Sequence, residues 1–133
     1  MSKTKFKILL VEDEPTVLEI LKEGFSAQGH RVITAGSGND AIEILKKERC
    51  DIVLSDLKMP NGSGLDVLSF IKTMKSAPIF FFLTGQSEYT ATECIAAGAR
   101  NYFTKPFDIK KLIGQIENEF KMESLGLKLS CIE

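Results

Sequence analysis

Two periods of hydrophobicity alternate along the chain. Short apolar runs without polar alternation, such as "PIFFFL", are typical of strands covered on both faces of a sheet. We predict five such strands, at residues 6–11, 31–35, 52–55, 78–83 and 101–103. The segments between them place apolar residues at helical spacing, as in Leu65, Leu68 and Ile71. The helices are predicted from Pro15 to before Gly29, after a cap at Ser37 or Asn39, over 63–75, over 87–99 and after a cap at Asp108.

Strands that alternate with amphipathic helices predict an α/β fold, in which helices cover both faces of a parallel sheet. Five repeats, (βα)5, are too few to close an eight-stranded barrel. We therefore predict an open, doubly wound, five-stranded parallel sheet with the strand order 2-1-3-4-5. A chain of 133 residues suits one hydrophobic core. We assign residues 1–121 to this domain and residues 122–133 to a C-terminal tail or linker stump.

The charge balance gives no reason to expect a nucleic acid or a membrane as partner. Lys and Arg number 17 and Asp and Glu number 18, so the net charge is −1, whereas such partners call for a basic surface. No apolar run approaches the roughly 20 residues of a membrane helix. The N-terminal segment turns acidic too early for a signal peptide. We predict a cytoplasmic protein that contacts neither nucleic acid nor membrane directly.

Polar side chains follow the predicted strands at their carboxyl ends, where open α/β sheets bind their ligands. They are Glu12, Asp13 and Glu14 after the first strand, Asp56 after the third, Thr84 after the fourth and Lys105 after the fifth. Taken one at a time, each is more often a turn or cap residue. Their coincidence at the ends of adjacent strands is what indicates a site.

The chemistry of this residue set favours phosphoryl transfer. Carboxylates without histidine or thiolate select a hard cation, Mg²⁺ or Mn²⁺. Lys105 and Thr84 can hold phosphate oxygens by charge and hydrogen bond, and phosphoryl transfer depends mainly on positioning and charge neutralisation. Since no Ser, Cys or His nucleophile lies nearby, Asp56 is the predicted attacking group, and an aspartyl phosphate is the predicted product.

Four segments of the chain, in order, are similar to the signature segments of a known family. They are "KILLVEDEP", "DIVLSDLKMPNGSGLDVL", "FFLTG" and "GARNYFTKPF". On these segments the chain resembles the receiver (response-regulator) domain of bacterial two-component signalling, a domain of flavodoxin-like fold. The resemblance covers about residues 5–121.

The resemblance implies roles for the residues around the predicted nucleophile. Asp56 matches the phosphoacceptor, and Glu12 and Asp13 match the acidic pair that binds Mg²⁺, with Asp13 the more direct ligand. Asp56 also matches a metal ligand. The backbone carbonyl of Lys58, two residues after the phosphoacceptor, matches the third protein ligand.

The resemblance also implies a conformational switch. Thr84 matches the hydroxyl that hydrogen-bonds the phosphoryl group, and Lys105 matches the lysine that pairs with it. The Lys105–Pro106 bond is expected to be cis, a geometry that proline makes accessible. Tyr102 matches the aromatic switch residue: phosphorylation draws Thr84 inward, Tyr102 turns in behind it, and the neighbouring face changes shape by a population shift.

The sequence departs from the family pattern at the entrance to the site. Gly85 stands where alanine is more usual, and glycine gives the backbone after Thr84 more freedom. Lys58 and Gln86 lie two residues beyond Asp56 and Thr84, respectively. We hypothesise that their side chains set the lifetime of the phosphorylated state by controlling the attacking water.

The predicted function is therefore that of a signalling domain. A histidine kinase or histidine phosphotransfer protein presents a phosphohistidine, and Asp56 accepts its phosphoryl group with Mg²⁺ bound. The domain then acts on a downstream protein, or on a second copy as a homodimer, through the face of the fourth helix, fifth strand and last helix. It catalyses its own phosphorylation and slow autodephosphorylation and is not a metabolic enzyme.

Three alternatives use similar features. A phosphohydrolase of the haloacid-dehalogenase type also has a strand-end Asp nucleophile and Mg²⁺, but it needs a second acid where this chain has Lys58. A flavodoxin-like flavin binder needs a phosphate loop where this chain has the acidic "EDEPT". A degenerate receiver would serve as a protein-binding module independent of phosphorylation, yet all the expected site residues are present.

Overall fold

The computed structural model describes residues 4–85 and 91–126. Five strands lie in this part of the chain: β1 (Lys7–Val11), β2 (Arg31–Ala35), β3 (Ile52–Asp56), β4 (Ile79–Thr84) and β5 (Asn101–Thr104). Five helices alternate with them: α1 (Pro15–Ala27), α2 (Gly38–Lys47), α3 (Gly64–Ile71), α4 (Ala91–Ala97) and α5 (Ile109–Ser124). None of the helices within the described residues is long and apolar enough to cross a membrane.

The strands form one parallel sheet in the order β2-β1-β3-β4-β5, which confirms the predicted topology. Apolar side chains of the strands are buried on both faces, as the non-alternating runs predict. Leu9 and Phe82 belong to the core on one face, while Ile8 and Phe81 belong to the core on the other. All four side chains are fully buried. The strands are therefore fixed from both sides, and their ends are fixed with them.

Local side-chain chemistry explains where the helices begin. Ser37, not Asn39, caps α2, since its hydroxyl accepts a hydrogen bond from the backbone N–H of Asp40. Asp108 caps α5, as predicted, and its carboxylate accepts from the backbone N–H groups of Lys110 and Lys111. The α5 cap follows Lys105 closely, so it helps to anchor the segment that carries this lysine.

Two predicted helix boundaries differ from the structure. α3 ends at Ile71 and not at residue 75. In the turn that follows, the hydrogen bonds span three residues and not the four of an α-helix, from Thr73 N to Phe70 O and from Met74 N to Ile71 O. α4 ends at Ala97 and not at residue 99, and residues 87–90 of the predicted 87–99 segment lie outside the described residues. The helix α5 continues past residue 121 to Ser124, so the predicted tail includes a last turn of helix.

The strand register brings the predicted site residues to one edge of the sheet. Val11 pairs with Ser55, so Glu12 and Asp56 follow directly at the ends of neighbouring strands. Thr84 pairs with Thr104, the residue before Lys105. The winding reverses at β1 and β3, and this switch point is where open sheets form a crevice.

The cap of α5 gives a test of the local fold. Asp108→Ala removes the acceptor of two backbone N–H groups and should lower the free energy of unfolding by about 1 kcal/mol. Asp108→Asn keeps an acceptor oxygen and should retain most of this stability. Urea unfolding of the three proteins makes the comparison, and equal midpoints for Asp108→Ala and wild type would contradict the assigned cap.

Candidate functional site

The ammonium group of Lys105 lies among three carboxylates at the carboxyl edge of the sheet. Its Nζ is 3.1 Å from Asp56 Oδ2, 3.2 Å from Glu12 Oε1 and 3.2 Å from Glu14 Oε1. Asp56 comes from the end of β3, whereas both glutamates follow β1. These ion pairs thus link three strand ends, those of β1, β3 and β5, which lie far apart in the sequence.

The backbone holds Lys105 in this position. Its N–H donates a hydrogen bond of 2.8 Å to the carbonyl of Thr84, which ties the segment after β5 to the end of β4. The peptide bond between Lys105 and Pro106 is cis. The Lys105 side chain is only 23% exposed, so water screens its ion pairs less than it would at an open surface.

Asp56 is the last residue of β3 and is buried, with 6% of its surface exposed. Its Oδ1 accepts a 2.8 Å hydrogen bond from the backbone N–H of Leu57, while its Oδ2 faces Lys105. The hydroxyl of Ser55 donates to the Asp56 carbonyl oxygen. The carboxylate is therefore fixed in orientation by one backbone donor and one cation.

Three acids form a cluster suited to a metal ion. Glu12, Asp13 and Asp56 each offer a carboxylate oxygen, and these oxygens lie within 4.8 Å of one another. Glu12 is buried and Asp13 is exposed. Glu12 Oε1 is a buried atom that accepts no hydrogen bond among the described residues, although Lys105 lies within ion-pair distance. A set of three carboxylate oxygens fits the ligand preference of Mg²⁺ or Mn²⁺.

The charges in the cluster shift one another's protonation. Burial, together with the negative charge of Asp56, raises the pKa of Glu12 from 4.5 to about 7. Burial on its own lowers the pKa of Lys105, but the carboxylates of Glu12 and Asp56 outweigh it and raise this pKa above its usual value. The lysine therefore stays a cation, while Glu12 holds a proton more readily than a solvated glutamate.

The structure describes three of the other predicted site residues, Thr84, Tyr102 and Lys58. Thr84 is buried at the end of β4, and its hydroxyl donates to the Gly85 carbonyl at 3.0 Å. Tyr102 in β5 is half-buried and packs against the same core as Phe82, its partner in the sheet register. Lys58 is exposed in the loop after β3. Gln86 lies outside the described residues.

The structure adds one contact that the sequence reasoning does not assign. Glu14 forms an ion pair with Lys105, although it is largely exposed. Its backbone N–H also donates to Glu12 Oε2 at 3.2 Å. Glu14 is part of the acidic run before Pro15, so its proximity to the site is visible in the sequence, but its pairing with a lysine 91 residues away is not.

Comparison with known proteins identifies the class. The model of the response regulator receiver domain family matches residues 8–117, most of the chain. A response regulator receiver domain protein from Clostridium thermocellum is 31% identical, with a TM-score of 0.81, over 91% of this chain and 98% of that one. The chain therefore belongs to the response regulator receiver domain family of two-component systems.

Other solved structures share the fold at lower identity. A CheY-like receiver domain protein from Methanospirillum hungatei JF-1 is 22% identical, with a TM-score of 0.83, over 92% of this chain and 99% of that one. NtrX from Brucella abortus is 24% identical, with a TM-score of 0.84; the match covers 98% of this chain but 30% of that protein. The same fold thus fills almost all of one solved chain and about a third of another.

Family membership fixes the general role. Receiver domains are signalling domains that bind Mg²⁺ at an acidic pocket and interact with histidine kinases or phosphotransfer proteins and with effectors. The acidic cluster of this chain has the composition such a pocket requires.

The raised pKa of Glu12 makes stability depend on pH. Between pH 4.5 and about 7 the folded state binds the Glu12 proton more tightly than the unfolded state does, so this contribution is fully present below pH 4.5 and is lost as the pH rises through about 7. Glu12→Gln cannot lose a proton. In Mg²⁺-free buffer, the free energy of unfolding of wild type relative to Glu12→Gln should therefore fall by about 1–3 kcal/mol between pH 4.5 and 8.

Urea unfolding at a series of pH values measures this difference. A difference that stays constant, or that rises with pH, would contradict the assignment of a buried, readily protonated Glu12.

Proposed function

We propose that this chain is a phosphorylation-activated switch whose phosphoacceptor is Asp56. The observation that carries the proposal is the environment of its carboxylate, 3.1 Å from the Lys105 ammonium and within 4.8 Å of carboxylate oxygens of Glu12 and Asp13. A histidine kinase or histidine phosphotransfer protein supplies a phosphohistidine. An Asp56 oxygen attacks the phosphorus, an O–P bond forms as the N–P bond breaks, and the electron pair of that bond leaves with the imidazole.

The acidic cluster is the proposed metal site. Glu12, Asp13 and Asp56 would hold Mg²⁺ or Mn²⁺ with their carboxylates, and Lys58 with its backbone carbonyl. When bound, the ion neutralises charge on the phosphoryl oxygens and so lowers the repulsion that Asp56 meets on approach. The buried Oε1 of Glu12, which receives no hydrogen bond from the described part of the chain, supports this assignment.

Lys105 has a second task once the phosphoryl group is on Asp56. Its raised pKa keeps it protonated at any physiological pH, so it can pair with a phosphoryl oxygen in place of the Asp56 carboxylate. Thr84 is the proposed hydroxyl partner of the same group. Among the described residues, its hydroxyl donates to the carbonyl of its own neighbour, Gly85, and exchanging that local bond for a charged acceptor would favour a changed position of Thr84.

Tyr102 is the proposed reporter of this change. It lies on β5 next to β4, two residues from the Thr84–Thr104 pair, and is only half-buried. A shift of Thr84 would alter the space available to Tyr102, and with it the face formed by α4, β5 and α5. A downstream protein, or a second copy of the chain in a homodimer, would bind the altered face more tightly and so shift the population toward it.

Two rival functions make expectations that differ from those of a phosphorylated receiver. A haloacid-dehalogenase type phosphohydrolase requires an acid at the position of Lys58, and the chain matches the receiver family instead. A receiver that works as a binding module without phosphorylation would show the same fold. It would not accept a phosphoryl group on Asp56, and that difference is measurable.

The phosphoacceptor proposal is tested by intact mass spectrometry. Wild type and Asp56→Asn are incubated with acetyl phosphate or phosphoramidate, with Mg²⁺ and with a chelator. We expect one phosphoryl addition on wild type in Mg²⁺ and little in chelator, because Asp56 attacks only when the charge of the donor is neutralised. Asp56→Asn should gain none.

Absence of added mass on wild type would overturn the proposal. The binding module that works without phosphorylation would then be the remaining function. An equal gain of phosphoryl mass on both proteins would show that the modified residue is not Asp56. The decay of the adduct after the donor is removed, compared with a Lys58→Ala, Gln86→Ala double variant, tests whether these side chains set its lifetime. An unchanged decay rate would exclude that role.

A further inference from the structure

The loop between Asp56 and α3 is fastened to the start of α2. The backbone N–H of Gly38 donates to the carbonyl of Gly62 at 2.9 Å, and that of Asn39 donates to Asn61 at 3.1 Å. Both N–H groups belong to the first turn of α2, where a helix offers them no internal acceptor. The loop therefore supplies acceptors that the helix lacks, and the helix start holds the loop in return.

The two backbones approach so closely that neither position accommodates a side chain. A Cβ atom added to Gly38 would lie 2.5 Å from Gly62 O and 2.8 Å from Ser63 O. A Cβ atom added to Gly62 would lie 2.7 Å from the backbone N of Asn39. At Gly38 the obstructing atoms are all backbone, so a substitution there must displace the loop itself; at Gly62 the side-chain Oδ1 of Asn39 also lies at 2.7 Å. We call this contact of Gly38 with Gly62 the glycine crossing.

The same loop is closed at its base. Gly64 N donates to the Leu57 carbonyl at 2.8 Å, and a Cβ atom on Gly64 would overlap the carbonyl oxygen of Asp56. A hydrogen bond thus joins the two ends of the Leu57–Gly64 segment to each other. The glycine crossing holds the same segment at Gly62, away from those ends. Lys58 lies within this segment, two residues from Asp56.

We propose that the glycine crossing is a positioning element for the metal site. It acts by fixing the loop that carries the Lys58 carbonyl, so Gly38 and Gly62 influence Mg²⁺ affinity without contacting the ion. This inference rests on the proposed function, in which that carbonyl is a metal ligand. Groups that orient metal ligands typically change metal affinity about 10–100-fold when they are removed.

A matched pair of variants tests the crossing. Gly38→Ala places a methyl group against the Gly62 backbone, whereas Gly36→Ala, two residues earlier, meets nothing within 4 Å. Isothermal titration should give a Mg²⁺ dissociation constant about tenfold higher for Gly38→Ala and unchanged for Gly36→Ala. At saturating Mg²⁺, the extent of phosphorylation by acetyl phosphate should return to the wild-type level in Gly38→Ala, a recovery that an unfolded variant would not show.

Wild-type protein provides a test that does not depend on the folding of a variant. If the crossing favours metal binding, then metal binding must strengthen the crossing by the same factor, because coupling is reciprocal. Saturating Mg²⁺ should therefore slow hydrogen exchange at the Gly38 and Asn39 amides about tenfold. The amide of Leu112, which donates to Asp108 in α5, is the control and should exchange at an unchanged rate.

The outcomes separate the two proposals. Wild type that binds no Mg²⁺ would overturn the proposed function and this inference together. Wild type that binds Mg²⁺, with exchange at Gly38 and Asn39 unaffected by the ion or with Gly38→Ala binding it equally well, would overturn the glycine crossing alone.

Discussion

Three carboxylates meet the ammonium group of Lys105 at distances of 3.1–3.2 Å, and the geometry of the site depends on this meeting. An exposed ion pair contributes at most about 1 kcal/mol, but Glu12 and Asp56 are buried, where unpaired charges of like sign are costly. The two buried carboxylates repel each other, and the ammonium group of Lys105 offsets part of this repulsion. The lysine therefore stabilises a local excess of negative charge that a metal ion can also neutralise.

The parallel sheet is what makes this meeting possible. Every strand ends at the same edge, so residues from positions 12, 56 and 105 become neighbours although the chain between them forms most of the domain. Apolar cores on both faces hold the strands, and the register of β1 with β3 then fixes Glu12 beside Asp56. The loops are not held by these cores. The Leu57–Gly64 segment is held instead by backbone hydrogen bonds from the first residues of α2.

The sequence predicts those features that depend on neighbouring residues or on a repeated period. The strand Arg31–Ala35 and the cap at Asp108 follow from local chemistry, and the strand order follows from general rules of winding. The end of α3 at Ile71 is not predictable from its apolar spacing, because Met74 continues the pattern and still packs on the core after the helix has ended.

Contacts between distant segments can be predicted from the sequence only where the strand order determines them. The gathering of Glu12, Asp13, Asp56 and Lys105 is predictable once the strand order is known, since strand ends share an edge. The approach of Gly38 to Gly62 is not predictable in this way, because a glycine at the first position of a helix has several ordinary explanations and only the folded backbone shows which atoms exclude a side chain.

The central claim is that Asp56 itself forms an acyl phosphate. Borohydride reduces an aspartyl phosphate to homoserine and leaves an ordinary aspartate unchanged, so reduction after treatment with acetyl phosphate and Mg²⁺ marks the modified residue. Peptide sequencing by mass spectrometry should find homoserine at position 56 and only in the sample that contained Mg²⁺. Homoserine at another position, or its absence from position 56 in a phosphorylated sample, would contradict the account.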